Sequence, residues 1–312
     1  MRRMWFLFGL AAGALAAEFP QAEIANALVH AKIYLPDAQN GYYRATRFDW
    51  SGVIASLEYK GHTYFGVWFP RYDPKLHDSI TGPVESFSAL WFDDAKPGET
   101  FVRIGVGVLR RPDARKVNDF YTYEIVDTGR WTTRAAADSI EFAQDLPGTY
   151  SYRKTVRLEK GKPILVIEHS LRNTGAKVID TQVFNHDFFM LDNQPTGPDL
   201  TVTFPFDVHL DHEWPGLAET RDKRLVYLKE LPQGQSVFGE MKGFGASAAD
   251  FDFRIENRKT GAGVRQTGTL PLSRLHYWSI RTTACPEAYH HLQIEPGRET
   301  HWQVAYEFYE TR

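Results

Sequence analysis

The chain has 312 residues and a formal net charge of −3 at pH 7. Its charges are dispersed and nearly balanced, which excludes nucleic acid or an acidic polymer as the expected partner, while 43% hydrophobic and 14% aromatic residues supply a large core. The only cysteine, Cys285, excludes an internal disulfide and any cysteine-based structural zinc site.

The first residues are basic, Arg2-Arg3, and the run from Trp5 to Ala17 is almost wholly apolar, with small residues at Ala14 and Ala16. This pattern predicts a signal peptide over 1–17, a mature start near Ala17 or Glu18, and a periplasmic or secreted protein. The run is short for a bilayer span, and no Cys follows it, as a bacterial lipoprotein would need. The alternatives are a membrane anchor or a buried helix. After signal removal no membrane association is expected.

Residues 22–35 place Ile24, Leu28 and Ile33 on one side of a short helix. Beyond them the chain reads as strands. Residues 53–59 alternate, turn at Lys60-Gly61-His62 and resume over 62–69, which predicts a hairpin. Further strand runs are 101–109, 120–127, 139–144, 150–158, 164–173, 177–191, 200–206, 251–257, 275–283 and 300–309, many bounded by Gly, Pro, Asn or Asp. Gly129-Arg130-Trp131 reads as a turn inside a meander, and 225–231 is too short to count as a helix. Residues 234–247, with four glycines, read as a surface loop or pocket lid. Ten or more strands with hardly a helix predict an all-β fold: one large antiparallel β-sandwich over 18–312, its mature N-terminal segment packed on the outside. No constant repeat period supports a propeller.

Three places resemble the galactose mutarotase-like superfamily, the aldose 1-epimerases and related sugar-binding β-supersandwiches. Asn185-His186-Asp187-Phe188-Phe189 resembles that family's Asn-His-x-Tyr-Phe segment, which implies that His186 is the acid. Cys285-Pro286-Glu287-Ala288 follows the run 277–283, where the family places its base glutamate. The family's Glu-Thr-Gln setting is replaced here by Pro286-Glu287-Ala288. Pro296-Gly297-Arg298-Glu299 resembles a Pro-Gly-Glu turn with one residue extra, and Leu76-His77-Asp78 with Gly82 resembles a Leu-His-Gly-Gly loop lacking both glycines.

The resemblance implies an exported aldose 1-epimerase-like protein acting on a sugar or sugar derivative, with Glu287 as base and His186 as acid. Mutarotation needs two proton transfers: one from the anomeric hydroxyl, one to the ring oxygen. A carboxylate and an imidazole suit this task, and neither metal nor cofactor is required. Candidate substrate contacts are Arg44 and Arg47, whose guanidinium forks match hydroxyls or a carboxylate, together with His77, Glu85, Asp187 and Trp278. The arginines also read as ion-pair partners of Asp49, Glu85, Asp187 or Asp192. Among Trp50, Trp68, Trp91, Trp214 and Trp278, one or two are expected to stack on a pyranose and the rest to fill the core. His290 and His291, adjacent on a strand, point to opposite faces and do not converge on a metal with Glu287, His276 and His301. The cluster His209-Leu210-Asp211-His212 is likewise split between faces. No phosphate loop or Gly-x-Ser-x-Gly elbow is present. The alternatives are a non-catalytic carbohydrate-binding protein, and a lyase or glycoside hydrolase on a similar sandwich. The sequence leaves the sugar and the oligomeric state open.

Overall fold

A computed structural model describes residues 19–311, so the predicted signal peptide lies outside the described residues. Among these residues there is no α-helix, only two short 3-10 turns, and no helix long and apolar enough to cross a membrane. The strands form antiparallel sheets of ten, six, four and three strands. The expected antiparallel β-sandwich is therefore what the chain forms.

The two large sheets share the main core. The alternating strand Tyr150–Leu158 buries every second residue, as a half-buried strand must. From the ten-stranded sheet Ile255, Val264, Val304, Tyr306 and Phe308 enter the core, and Val237, Leu275, Tyr277, Ala284 and Ala288 meet them from the six-stranded sheet. With its inward residues committed there, the six-stranded sheet presents its other face to the chemistry. Its order is His209–Leu210, Ser236–Lys242, Arg274–Ile280, Thr283–Ile294, Ile179–His186 and Val84–Phe87.

Several local expectations are corrected. Residues 22–35 are not a helix but an antiparallel pair, Gln21–Ala25 with Val29–Tyr34, in the four-stranded sheet. The helical reading needed Leu28 inside, yet Leu28 is 39% exposed, and Val29, Ala31 and Ile33 are buried with period two. Asn26 sets the turn, its side chain accepting from the N–H groups of Leu28 and Val29 at 2.8 and 2.9 Å. The run 62–69 pairs only over His62–Thr63. It then leaves the sheet to carry Trp68 toward the cleft, with Trp68 Nε1 donating to the Ile80 carbonyl at 2.8 Å. The run 101–109 divides into Thr100–Arg103 and Gly107–Arg110. The glycine-rich stretch 234–247 is no lid: half of it is the strand Ser236–Lys242, hydrogen-bonded on both sides. Residues 224–227, too short for a helix, are a strand.

Candidate functional site

Antiparallel register brings His186 and Glu287 together. Phe184 pairs with Tyr289 across neighbouring strands, and two residues further on each strand stand His186 and Glu287. His186 Nε2 lies 3.4 Å from Glu287 Oε1. Both side chains are buried in the wall of a cleft of about 490 Å³, also lined by Arg47, Trp68, Asp78, Phe120, His276, Trp278 and Tyr289.

The strand carrying His186 ends there, and Phe188 adopts a left-handed conformation, φ 49°. That bend folds the Phe188 ring back onto the imidazole, stacked at 3.8 Å and 9°. The Phe188 N–H donates to Cys285 Sγ at 3.1 Å, tying the bend to the strand of Glu287. Phe48 and Trp278 meet the imidazole edge-on, each at 5.6 Å. Gly82 lies so close to the Asp187 carbonyl that a Cβ there would collide with it. The Glu287 carboxylate is held by more than His186. Tyr289 donates its hydroxyl to Oε2 at 3.2 Å, and His276 Nδ1 lies 3.4 Å from the same oxygen.

Burial, which penalises the imidazolium, pushes the His186 pKa down to about 3 despite the attraction of Glu287. For Glu287 burial acts upward, but the surrounding imidazoles of His186 and His276 and the Arg47 guanidinium outweigh it and hold the carboxyl below its ordinary value. The resting pair near neutral pH is a carboxylate beside a neutral imidazole.

Arg47 anchors the other side of the cleft. Its guanidinium lies between the rings of Phe48 and Phe120, 4.6 and 4.7 Å from their centroids, and donates to Asp78 Oδ1 at 2.7 Å. Trp68 stacks on Phe188 at 4.6 Å and 10°, and its ring meets Trp278 edge-on. At least one arginine and one tryptophan thus share the cleft with His186, and Trp278 stands in its wall.

Four candidate contacts lie elsewhere. Arg44 is turned away from the cleft lining and donates to the Gln39 carbonyl. His77 does not line the cleft either; its Nδ1 sits 2.9 Å from Asp78 Oδ1, behind the Asp78–Arg47 pair. Glu85 is fully buried in a core cluster, where it pairs with Lys154 and accepts from Asn185 and His169, each at 2.9 Å. Burial opposes its ionisation, yet Lys154 and His169 hold its pKa at about 2. Asp187 points to the opposite side of its strand from His186, into the space between the sheets, and accepts from Tyr306 at 2.8 Å and Gln266 at 3.0 Å. Burial drives its pKa well up. Alternation explains this outcome: neighbours of His186 in sequence must face the other way.

The same alternation reveals residues the sequence reading missed. Starting from Trp278, steps of two reach His276 and Arg274; from Glu287 they reach Tyr289; from His186 they reach Phe184. All line the cleft. Glu287 itself lies within the twelve-residue strand Thr283–Ile294 rather than in a solvated loop. Asp78 and Phe120 come from loops, and no periodicity points to them.

The cleft and its buried imidazole–carboxylate pair stand on one face of a large antiparallel β-sandwich. Solved structures agree on the fold, which is that of galactose mutarotase-like proteins. The chain is similar to the galactose mutarotase/aldose epimerase homologue from C. elegans, with a TM-score of 0.58 and 14% identity over 94% of this chain and 99% of that one. It is similar to the Slr1438 protein of Synechocystis sp. PCC 6803, with a TM-score of 0.57 and 12% identity over the whole of both chains. A galactose mutarotase-like protein from Lactobacillus casei ATCC 334 gives a TM-score of 0.56 and 12% identity over 93% of this chain and all of that one. No family model and no curated protein matches the sequence.

Proposed function

We propose that the protein acts on the anomeric centre of a sugar by acid–base proton transfer, as an aldose 1-epimerase-like isomerase. The observation that carries the reading is the 3.4 Å approach of His186 to Glu287 inside an aromatic cleft of sugar-binding dimensions. Glu287, ionised in the resting state, takes the proton of the anomeric hydroxyl. The neutral His186 gives a hydrogen bond to the ring oxygen from Nε2; as the C1–O bond breaks it passes that proton on and takes the one Glu287 has received, so the imidazole stays neutral and the carboxylate is restored. After rotation about C1–C2, the reverse transfers close the ring on the other face. Neutral imidazole is a competent hydrogen-bond donor to a developing oxyanion in a dry site. Trp278 and Arg47 hold the sugar by its apolar face and its hydroxyls.

The test is polarimetry on freshly dissolved aldoses. Wild type is expected to speed anomer equilibration, and Glu287→Gln and His186→Ala to lose about 10²–10⁴-fold in rate while keeping sugar affinity within a few-fold. A wild type that binds sugars but never accelerates equilibration makes the protein a binding module. Full activity in both variants moves the site elsewhere. Export belongs to the same proposal, on the strength of Arg2-Arg3 and the apolar run that follows. N-terminal sequencing of exported protein should begin near Ala17 or Glu18, and an intact Met1 would refute it.

A further inference from the structure

We propose that the cleft carries an outer subsite, built on Phe238, for the second unit of a reducing oligosaccharide; this rests on reading His186 and Glu287 as the site of anomeric chemistry. Phe238 stands in the strand Ser236–Lys242, yet its side chain is 49% exposed. Single exposed apolar residues are ordinary on protein surfaces. This one differs in its place: it forms part of the cleft wall itself, directly across the ladder from Trp278. The aromatic wall therefore continues past Trp278, from a ring that touches His186 to a ring that does not.

Register gives the distance. Glu287 pairs with His276, and Phe238 pairs with Trp278, two residues along the same strand. Two inter-strand steps and one two-residue step at right angles to them separate Phe238 from Glu287 by about 12 Å. A single pyranose with its anomeric carbon against the His186–Glu287 pair does not reach Phe238. The next unit of a chain running along the sheet face does. Polar groups frame the ring as sugar sites require. Ser236 and Glu240 share its face of the strand, and Glu240 is paired with Arg274, which also lines the cleft. Carbon-bound hydrogens on one pyranose face would pack on the ring, and equatorial hydroxyls would meet the rim.

The experiment is titration calorimetry with matched probes: glucose against maltose, cellobiose and lactose, each of which carries glucose at its reducing end. At least one disaccharide should bind wild type about tenfold more tightly than the monosaccharide at its reducing end. Phe238→Ser should erase that difference, and Phe238→Tyr, which keeps the ring, should retain it. Thermal melts confirm that the variants fold. Equal affinity within every pair, or an equal loss for both members in Phe238→Ser, overturns the subsite. Polarimetry on the same samples separates the two claims. Disaccharide preference without anomer equilibration upholds the subsite and removes the acid–base reading, and equilibration without preference does the reverse.

Discussion

Glu85 offers a sharp test, because sequence reasoning placed it on the sugar and the structure places it in the core. Its carboxylate meets Lys154, His169 and Asn185, and Lys154 also donates to the Ser51 carbonyl at 2.8 Å and lies 3.4 Å from Asp49. The ion-paired groups Lys154, Asp49 and Glu85 have no side-chain exposure. Glu85→Gln preserves volume and leaves an oxygen for Asn185 and His169, but it strands the Lys154 ammonium with only the more distant Asp49. Breaking a buried pair from one side costs about 3–5 kcal/mol. For a chain of this size that corresponds to a fall in Tm on the order of 10 °C. Urea denaturation of wild type, Glu85→Gln and Glu85→Gln/Lys154→Met measures it. The double variant should recover part of the loss, since it removes the uncompensated charge. Sugar affinity should stay within twofold throughout. A stability loss below about 1 kcal/mol, combined with a tenfold loss of affinity, would refute the structural role and return Glu85 to the substrate.

Four further outcomes are expected. With Glu287 ionising below its ordinary 4.5 and His186 at about 3, neither titrates between about pH 5.5 and 8, so kcat/KM should be flat there, and a limb near pH 6–7 would contradict the neutral-imidazole reading. The same shift has a stability sign: the unfolded imidazole takes a proton below about pH 6.5 and the folded one only near pH 3, so stability falls as pH drops through that window, by up to about 5 kcal/mol; the denaturant midpoint of wild type should fall relative to that of His186→Phe as pH drops from about 7 toward about 3. Arg47→Ala should weaken sugar binding about tenfold in calorimetry, because it removes a donor in the cleft, whereas Arg44→Ala should change it less than twofold. The Cys285 thiol, raised by burial and then by the nearby Glu287 and Asp187 carboxylates, should resist a disulfide-exchange reagent in the native protein and react fully in denaturant.

The sandwich was legible because long strands such as Tyr150–Leu158 and Ile164–Asn173 carry their alternation openly. Short elements failed where two periods compete: Ile24, Leu28 and Ile33 fit a helix, while Val29, Ala31 and Ile33 fit the strand, and the Asn26 turn decided between them. Glycines at 239 and 243 suggested a loop, but Gly239 lies within a strand where Asp211 and His212 press so closely that a Cβ would clash with them. His186 and Glu287 could be singled out as residues with distinctive sequence settings. The side-chain direction of Glu85 and Asp187 could not, since it follows from strand phase and from which sheet covers which face. Asp78 and Phe120 enter from loops whose course no local pattern encodes.

The two halves of the cleft are held differently, and this bears on how the protein works. His186 and Glu287 stand on adjacent strands two residues past their last paired position, Phe184–Tyr289, and each is held from its outer side by the ladder to the next strand, His186 opposite Val84 and Glu287 opposite His276. The buried Glu85–Asn185 contact fixes the residue just before His186, and the Cys285–Phe188 contact fixes the bend just after it. Such a pair keeps its geometry without help from a ligand, which suits proton transfers that tolerate little misplacement. Arg47, Asp78 and Phe120 are instead assembled from loops through one ion pair and two ring contacts. Replacing these loop residues should therefore alter which sugar is held, while substitutions on the two strands should alter the proton transfers themselves.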